Sequence, residues 1–356
     1  MKNKVSRAWG VFFVITLVFL LSGCAGDEEA ELEPEKEESV DPEEVVEIPG
    51  ENLRQLIQEE LGLEPGEDIK AKQLEELEGL EHGEREKREV NKVEDLTGLE
   101  YAVNLKYLDL TDNSVSNLSP LAGLEQLEKL VLSGNEVKEL APLAGMKNLR
   151  ELDLSGNDVD SVSSLKGITA LKELHLGENN VEQIEALSGL QGLERLVLRG
   201  NEIEDVSPLA GLESLERLML HSNQVSSIDS LSELTNLQEL WLNDNSVSDI
   251  SAASGMESLE ILYASNNEVD DLTPLSGLEG LRVVFLESNR VEDISPLAPL
   301  QDLQRLMLQE NQVTDLSPLL EMESLSQLGI RDNPYPEEEY REVMEVLSER
   351  GVREVN

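Results

Sequence analysis

Cysteine occurs once in these 356 residues, at Cys24, so no disulfide can form within the chain and an exported body must be held together by core packing. Histidine occurs three times, at His82, His175 and His221, on separate stretches, and zinc coordination and Ser-His-Asp chemistry both lack their parts. Basic residues are scarce: 28 lysines and arginines face 75 aspartates and glutamates, a formal net charge of −47, which excludes nucleic acid as a partner. Aromatics make up only 3% of the chain, so any cluster of them stands out. Long apolar runs are absent except at residues 8–21, and that run is too short to span a bilayer comfortably.

The exception has its own meaning. Lys2, Lys4 and Arg7 precede the run and small residues follow it, the order of a secretory signal over residues 1–23 that is removed on export. Leu21-Ser22-Gly23-Cys24 resembles the lipobox of bacterial lipoproteins. That resemblance implies lipidation of Cys24 by a diacylglyceryl group and its becoming the first residue of the mature chain. Each buried CH₂ contributes about 0.8 kcal/mol, and two or more acyl chains anchor stably where one is marginal. A free cysteine at a plain secretory junction is the alternative. Loss of Lys2, Lys4 and Arg7 leaves 25 basic against 75 acidic residues, a net charge of −50 that keeps the body soluble and away from anionic headgroups.

Residues 26–47 hold twelve acidic residues and one lysine, with almost nothing to bury, so residues 24–48 are expected to form a lipidated, extended acidic tether. Residues 49–90 follow as an N-terminal helical cap. Leu53, Leu56, Ile57 and Leu61 fall at helix spacing before Gly62, and a second helical pattern covers 69–80 after a possible N-cap at Asp68.

From there asparagine recurs at one constant interval without deviation: Asn91, Asn113, Asn135, Asn157, Asn179, Asn201, Asn223, Asn245, Asn267, Asn289, Asn311 and Asn333. A fixed period over that length points to a stacked solenoid. Leu105, Leu108, Leu110, Val115, Leu118, Leu121 and Leu124 set the pattern L-x-x-L-x-L-x-x-N-x-V-x-x-L-x-x-L-x-x-L, a leucine-rich repeat. The L-x-L pair alternates as a short strand does. The later spacing of three suits a turn or 3₁₀ segment, often opened by proline, as at Pro120, Pro142, Pro208, Pro274, Pro296 and Pro318. The expected fold is an α/β solenoid: a horseshoe over 91–334 with a parallel concave sheet, 3₁₀ or turn segments on the convex side, and helical caps. Each asparagine amide is expected to satisfy backbone groups where the chain leaves the strand. Tyr340, Val343, Met344 and Leu347 predict a C-terminal helical cap over 335–356.

With segments such as Val291-Glu292-Asp293-Ile294-Ser295-Pro296-Leu297, residues 91–334 resemble the internalin-type bacterial leucine-rich repeats over about two thirds of the chain. Leu96-Thr97-Gly98-Leu99-Glu100-Tyr101-Ala102 looks like part of that family's N-terminal cap. The resemblance implies protein recognition on the concave sheet. Neither an immunoglobulin-like domain nor a sortase-type anchor follows the repeats, so host-cell binding is not among the expectations.

A horseshoe leaves its concave face open, and one residue per repeat lies between the two strand leucines: Asp109, Val131, Asp153, His175, Val197, Met219, Trp241, Tyr263, Phe285, Met307 and Gly329. Met219, Trp241, Tyr263, Phe285 and Met307 are consecutive and bulky, and are expected to form an exposed binding ridge. The other reading is ordinary strand preference with cross-strand stacking. Flanking columns add Lys129, Arg195, Arg199, Arg217, Arg305 and Arg331 against Glu151, Glu173, Glu239 and Glu287, so this face, unlike the chain, is not acidic; Arg195, Arg217 and Arg305 join the ridge as candidate protein-binding residues. Ala264 and Ala253 replace leucines in one turn, leaving either a local dent or simple repacking. Asp205, Asp249, Asp271, Asp293 and Asp315 form a column that either caps turns or attracts calcium weakly. No catalytic residue, metal or cofactor is expected. The expected protein is a monomeric, membrane-tethered, extracytoplasmic binding module for a protein or peptide; an envelope scaffold for a cell-wall polymer is the alternative.

Overall fold

The computed structural model describes residues 41–82 and 92–355; the signal segment, Cys24 and Asn91 lie outside the described residues. Within it, the repeating apolar positions converge on one elongated core. Leu108, Leu110, Val115, Leu121 and Leu124 are fully buried, as are their equivalents in the following repeats. Three-residue strands recur with the period of the asparagines from β2 (Tyr107–Asp109) to β12 (Gln327–Gly329), joined by β1 (Gly79–Glu81) at one end and β13 (Arg353–Glu354) at the other. They pair in parallel and in sequence order, with Leu108 opposite Leu130 and Leu130 opposite Leu152. Repeating the same register at every step keeps every strand leucine on the core face, since a slip of one residue would turn it to solvent. Convex 3₁₀ segments such as Ser119–Leu121 and Ser207–Leu209 carry proline as their second residue, where its fixed φ suits the first turn and its missing N–H is not needed.

The coils are tied together by their asparagines. The Asn157 amide donates to the Leu132 carbonyl of the preceding coil at 2.8 Å and to the Leu154 and Ser155 carbonyls of its own at 2.9 and 3.3 Å, while its Oδ1 accepts from the Val137 N–H at 2.8 Å. The same four bonds recur from Asn135 to Asn333. To bring the amide inward, the preceding residue takes a left-handed conformation. It is glycine at Gly134, Gly156 and Gly200, but an L-residue elsewhere, as at Glu178 with φ 55° and Ser288 with φ 53°.

Both ends of the core are covered. Helix α1 (Glu51–Glu60) buries Leu53 and Ile57, and α2 (Ala71–Glu75) buries Leu74. The helix expected over 69–80 is corrected: only five residues are helical, the N-cap is Lys70 in place of Asp68, and Gly79–Glu81 pair with β2 as the first strand. The solenoid edge beside Tyr107 offers strand pairing, and tertiary contact overrides the local pattern. The expected tether also ends earlier than residue 48, because Val46 and Ile48 are buried and Val45 bridges to Lys70. At the far end, α3 (Glu337–Glu349) buries Val343 and Leu347 before Gly351 turns with φ 86° into β13. There Tyr340 stacks on Tyr335 at 5.2 Å and donates to Glu354, whose carboxyl is held below its usual range chiefly by Arg331.

Ala253 and Ala264 are both buried. A Cβ on Gly255 would lie 2.1 Å from the Ser232 carbonyl oxygen, whereas on the equivalent Gly145 its nearest neighbour would be 3.9 Å away. The convex segment at Ala253 has thus sunk against the preceding coil.

Two stability measurements follow from these contacts. Asn157→Ala strands buried backbone groups on two coils and should lower unfolding free energy by about 1 to 3 kcal/mol in a urea titration. Gly255→Ala should lower it by about 1 to 3 kcal/mol through overpacking, while Gly145→Ala leaves the urea midpoint nearly unchanged; equal effects would refute the sunken turn.

Candidate functional site

In every central repeat the strand leucine points into the core and its two neighbours point to the open concave face. That face divides in two. On its N-terminal half, beside Tyr107, Val131 and Val197, charged side chains neutralise one another across adjacent strands: Lys129 pairs with Glu151 at 2.7 Å, and Arg195 approaches Glu173 at 3.9 Å. His175 lies 3.7 Å from Asp153, whose carboxyl stays below its usual range because bonds from His175 and Ser155 outweigh its burial. Tyr107, partly buried beside Asp109, has its phenol pushed up to about 12.

On the C-terminal half the charges give way to rings. Met219, Trp241, Tyr263 and Phe285 occupy adjacent strands in one register. Trp241 and Tyr263 centroids lie 4.5 Å apart with a tilt of 59°, and Tyr263 meets Phe285 edge-on at 4.7 Å. His221 extends the row 5.6 Å from Trp241, and burial together with the Arg199 charge lowers its pKa. The sequence-derived ridge is therefore assembled, but the expectation that it is exposed needs correction. Met219, Trp241, Tyr263 and Phe285 are half-buried, and Met307 is only 4% exposed. On an inward-curving sheet bulky neighbours converge and cover one another.

Two apolar residues join this half that the central column alone misses. Ile261 and Val283 lie two positions before Tyr263 and Phe285, where other repeats carry Glu151, Glu173 or Arg195, and both are half-buried on the same face. Their signal was present in the flanking column, read there only for charge. Gln309 is a further addition: a Cβ on Gly329 would lie 2.3 Å from the Gln309 amide nitrogen, so the glutamine lies across Gly329 and closes the end of the ridge. The Trp241 indole nitrogen, His221 Nδ1 and Gln309 Oε1 are buried without a hydrogen-bond partner among the described residues. Native folds seldom leave such groups unpaired.

Of the expected cations, Arg217 bonds Glu239 at 3.1 Å, Arg199 pairs with Glu178, and Arg331 bonds Glu354 at 2.8 Å. Arg305 differs: its guanidinium lies 5.0 Å over the Phe285 ring and its Nε donates to Gln327 at 3.0 Å. On the convex side, Asp205, Asp249, Asp271, Asp293 and Asp315 each accept the N–H two residues on, at 2.7 to 2.8 Å, and so cap the 3₁₀ turns. Hydrogen bonds to these turns lower the carboxyl pKa of Asp205, Asp271 and Asp315. Among the described residues no group of three or more histidine, cysteine or acidic side chains is placed to hold a metal ion.

A model of the family described as Leucine Rich repeats (2 copies) matches residues 103–145, 125–168, 147–191, 169–211, 191–233, 213–255 and 257–299, more than half of the sequence. The chain belongs to the leucine-rich-repeat family, a non-catalytic recognition fold. Within that family it is homologous to the Listeria internalins. An internalin from Listeria monocytogenes shares 30% identity and superposes with a TM-score of 0.81, covering 86% of this chain and 88% of that one. The functional domain of a second Listeria monocytogenes internalin, at 20% identity and TM-score 0.70, is matched over 80% of this chain and 60% of its own length. A leucine-rich-repeat protein of Leptospira interrogans, at 22% identity and TM-score 0.60, is matched over 80% of this chain and 91% of its own. These last two share the fold. No curated protein matches the sequence.

The ring stack is open to a direct energetic check. In a double-mutant cycle, Trp241→Ala and Tyr263→Ala should couple by about 0.5 to 1.5 kcal/mol in urea unfolding, the range for tilted aromatic pairs. Additive losses would mean that the rings touch without stabilising one another.

Proposed function

We propose that this protein is a membrane-tethered, extracytoplasmic recognition module that binds a protein or peptide on the C-terminal half of its concave sheet. The observation that carries the reading is the change of character along one face. Where the first repeats present Asp109, Val131, Asp153, His175 and Val197 in the central column, four consecutive strands present Met219, Trp241, Tyr263 and Phe285, with Ile261 and Val283 beside the last two. Aromatic and methionine side chains within reach of arginine are what interface hot spots use, and their partial mutual burial pre-organises them, so little side-chain freedom is lost on docking.

The tether rests on the sequence. Leu21-Ser22-Gly23-Cys24 supplies the lipid attachment, and the acidic stretch after it supplies reach. Among the described residues no helix is long and apolar enough to cross a membrane, so in this reading the anchor is the lipid on Cys24.

One experiment addresses both parts. Cells producing the protein are fed labelled palmitate, and the protein is then used to capture partners from the envelope fraction. Wild type should carry label, sediment with membranes and retain a protein. Cys24→Ser should lose the label and the sedimentation, while Trp241→Ala with Phe285→Ala should lose the captured protein and keep both. Retention on purified cell wall, unaffected by the double substitution, would replace this reading with that of a wall-binding scaffold.

A further inference from the structure

Seven cations lie in the outward columns of the sheet; five approach a carboxylate, Lys129, Arg195, Arg199, Arg217 and Arg331, and among the described residues Arg353 on the terminal strand β13 does not. Arg305 has none among the described residues, in a chain with 75 acidic side chains. Its position is nonetheless well defined. The guanidinium lies over Phe285, and Nε is held by the Gln327 side-chain oxygen. A guanidinium has five N–H donors in one plane. Gln327 uses one donor, which leaves the two Nη groups, the edge that grips a carboxylate with two parallel bonds, without a partner among the described residues.

The ground beside that edge is apolar. Phe285 and Val283 stand one strand away, and Tyr263 and Ile261 stand two strands away. Strands are about 4.8 Å apart, so this platform lies roughly 5 to 10 Å from Arg305. In an extended polypeptide, side chains two residues apart point the same way and are separated by about 6.5 to 7 Å. One such pair spans the two sites.

Resting on the recognition reading above, we propose that the partner docks through an extended segment in which an acidic side chain binds the free edge of Arg305 while an apolar or aromatic side chain two residues away lies on the Ile261, Tyr263, Val283 and Phe285 platform. Arg305 is then the specificity-determining residue. Gln327 and Phe285 position it, so that the carboxylate meets a guanidinium already in place. An uncharged segment leaves that guanidinium without its partner, and a like-charged one is repelled.

The test uses the full chain in mild detergent and nonapeptides that carry the same fluorescein label, amidated at the C-terminus so that the only carboxylate of the peptide itself is a side chain. One peptide carries Phe and Glu two residues apart in a serine and threonine frame; the others replace Glu by Gln or Phe by Ser. By fluorescence anisotropy the Glu peptide should bind wild type about ten-fold or more tightly than the Gln peptide, and the Ser peptide should bind weakly. Arg305→Met should abolish the Glu-over-Gln preference, and Arg305→Lys should keep part of it. Because the readout is a ratio, a general loss of affinity from weaker stacking does not mimic the result, and thermal melting checks that each variant is folded. Equal binding of the Glu and Gln peptides, a preference that survives in Arg305→Met, or no binding by any of the peptides would overturn the proposal. Partner capture that depends on Trp241 and Phe285 but is unchanged in Arg305→Met removes this inference and leaves the recognition reading standing. Capture independent of the ridge removes that reading instead.

Discussion

Every feature of this protein depends on one constraint: a single coil of the repeat cannot bury its own apolar face or satisfy its own turn, and needs the next coil for both. The asparagine amides make that dependence literal. From Asn135 to Asn333 each one closes its own turn and reaches the preceding coil, where it donates to the carbonyl just past the strand and accepts from a backbone N–H. A buried amide with all its bonding capacity used is stabilising, and the same amide left half-satisfied is costly, so the ladder is cooperative along its length. The leucine spine supplies the bulk of the driving force, and the ladder fixes the register in which the leucines stack.

Fixed register is what creates a recognition surface. Once every strand leucine faces inward, its neighbours are displayed outward in straight columns about 4.8 Å apart, free of the demands of the core. A set of side chains scattered one full repeat apart along the chain becomes a contiguous row. The charged half of the face forms ion pairs across strands, and pairs of this kind on a wet surface contribute little stability each. The aromatic half carries one such pair, Arg217 with Glu239, and its rings cover each other only in part, leaving apolar area on the open side. In the proposed reading, the contrast between the two halves, more than any single residue, is what points to the docking surface.

Much of this was legible beforehand, and the failures have physical causes. An unbroken period with alternating leucines predicts the solenoid, the parallel sheet and the convex turns, because these follow from local sterics and burial repeated many times. Column membership of Trp241, Tyr263 and Phe285 follows from the same period. What went astray lies at the ends and on the surface. Residues 69–80 carry a helical pattern, but the sheet edge recruits Gly79–Glu81 as a strand. Val46 and Ile48 look like the tail of a tether until the cap gives them something to bury against. Met307 belongs to the ridge by register and is nearly covered, a result of curvature that no linear reading contains.

The sequence alone determined the repeat, the core, the asparagine ladder and the columns, since each is set by spacing along one strand of chain. Tertiary structure decided which cations found carboxylates, how far the rings cover one another, how the coil at Ala253 sank against its neighbour, and that Arg305 keeps an edge of its guanidinium free. The difference is one of range: period and polarity are local properties, whereas pairing, coverage and curvature depend on how neighbouring coils settle against each other, and that is fixed only when the chain has folded.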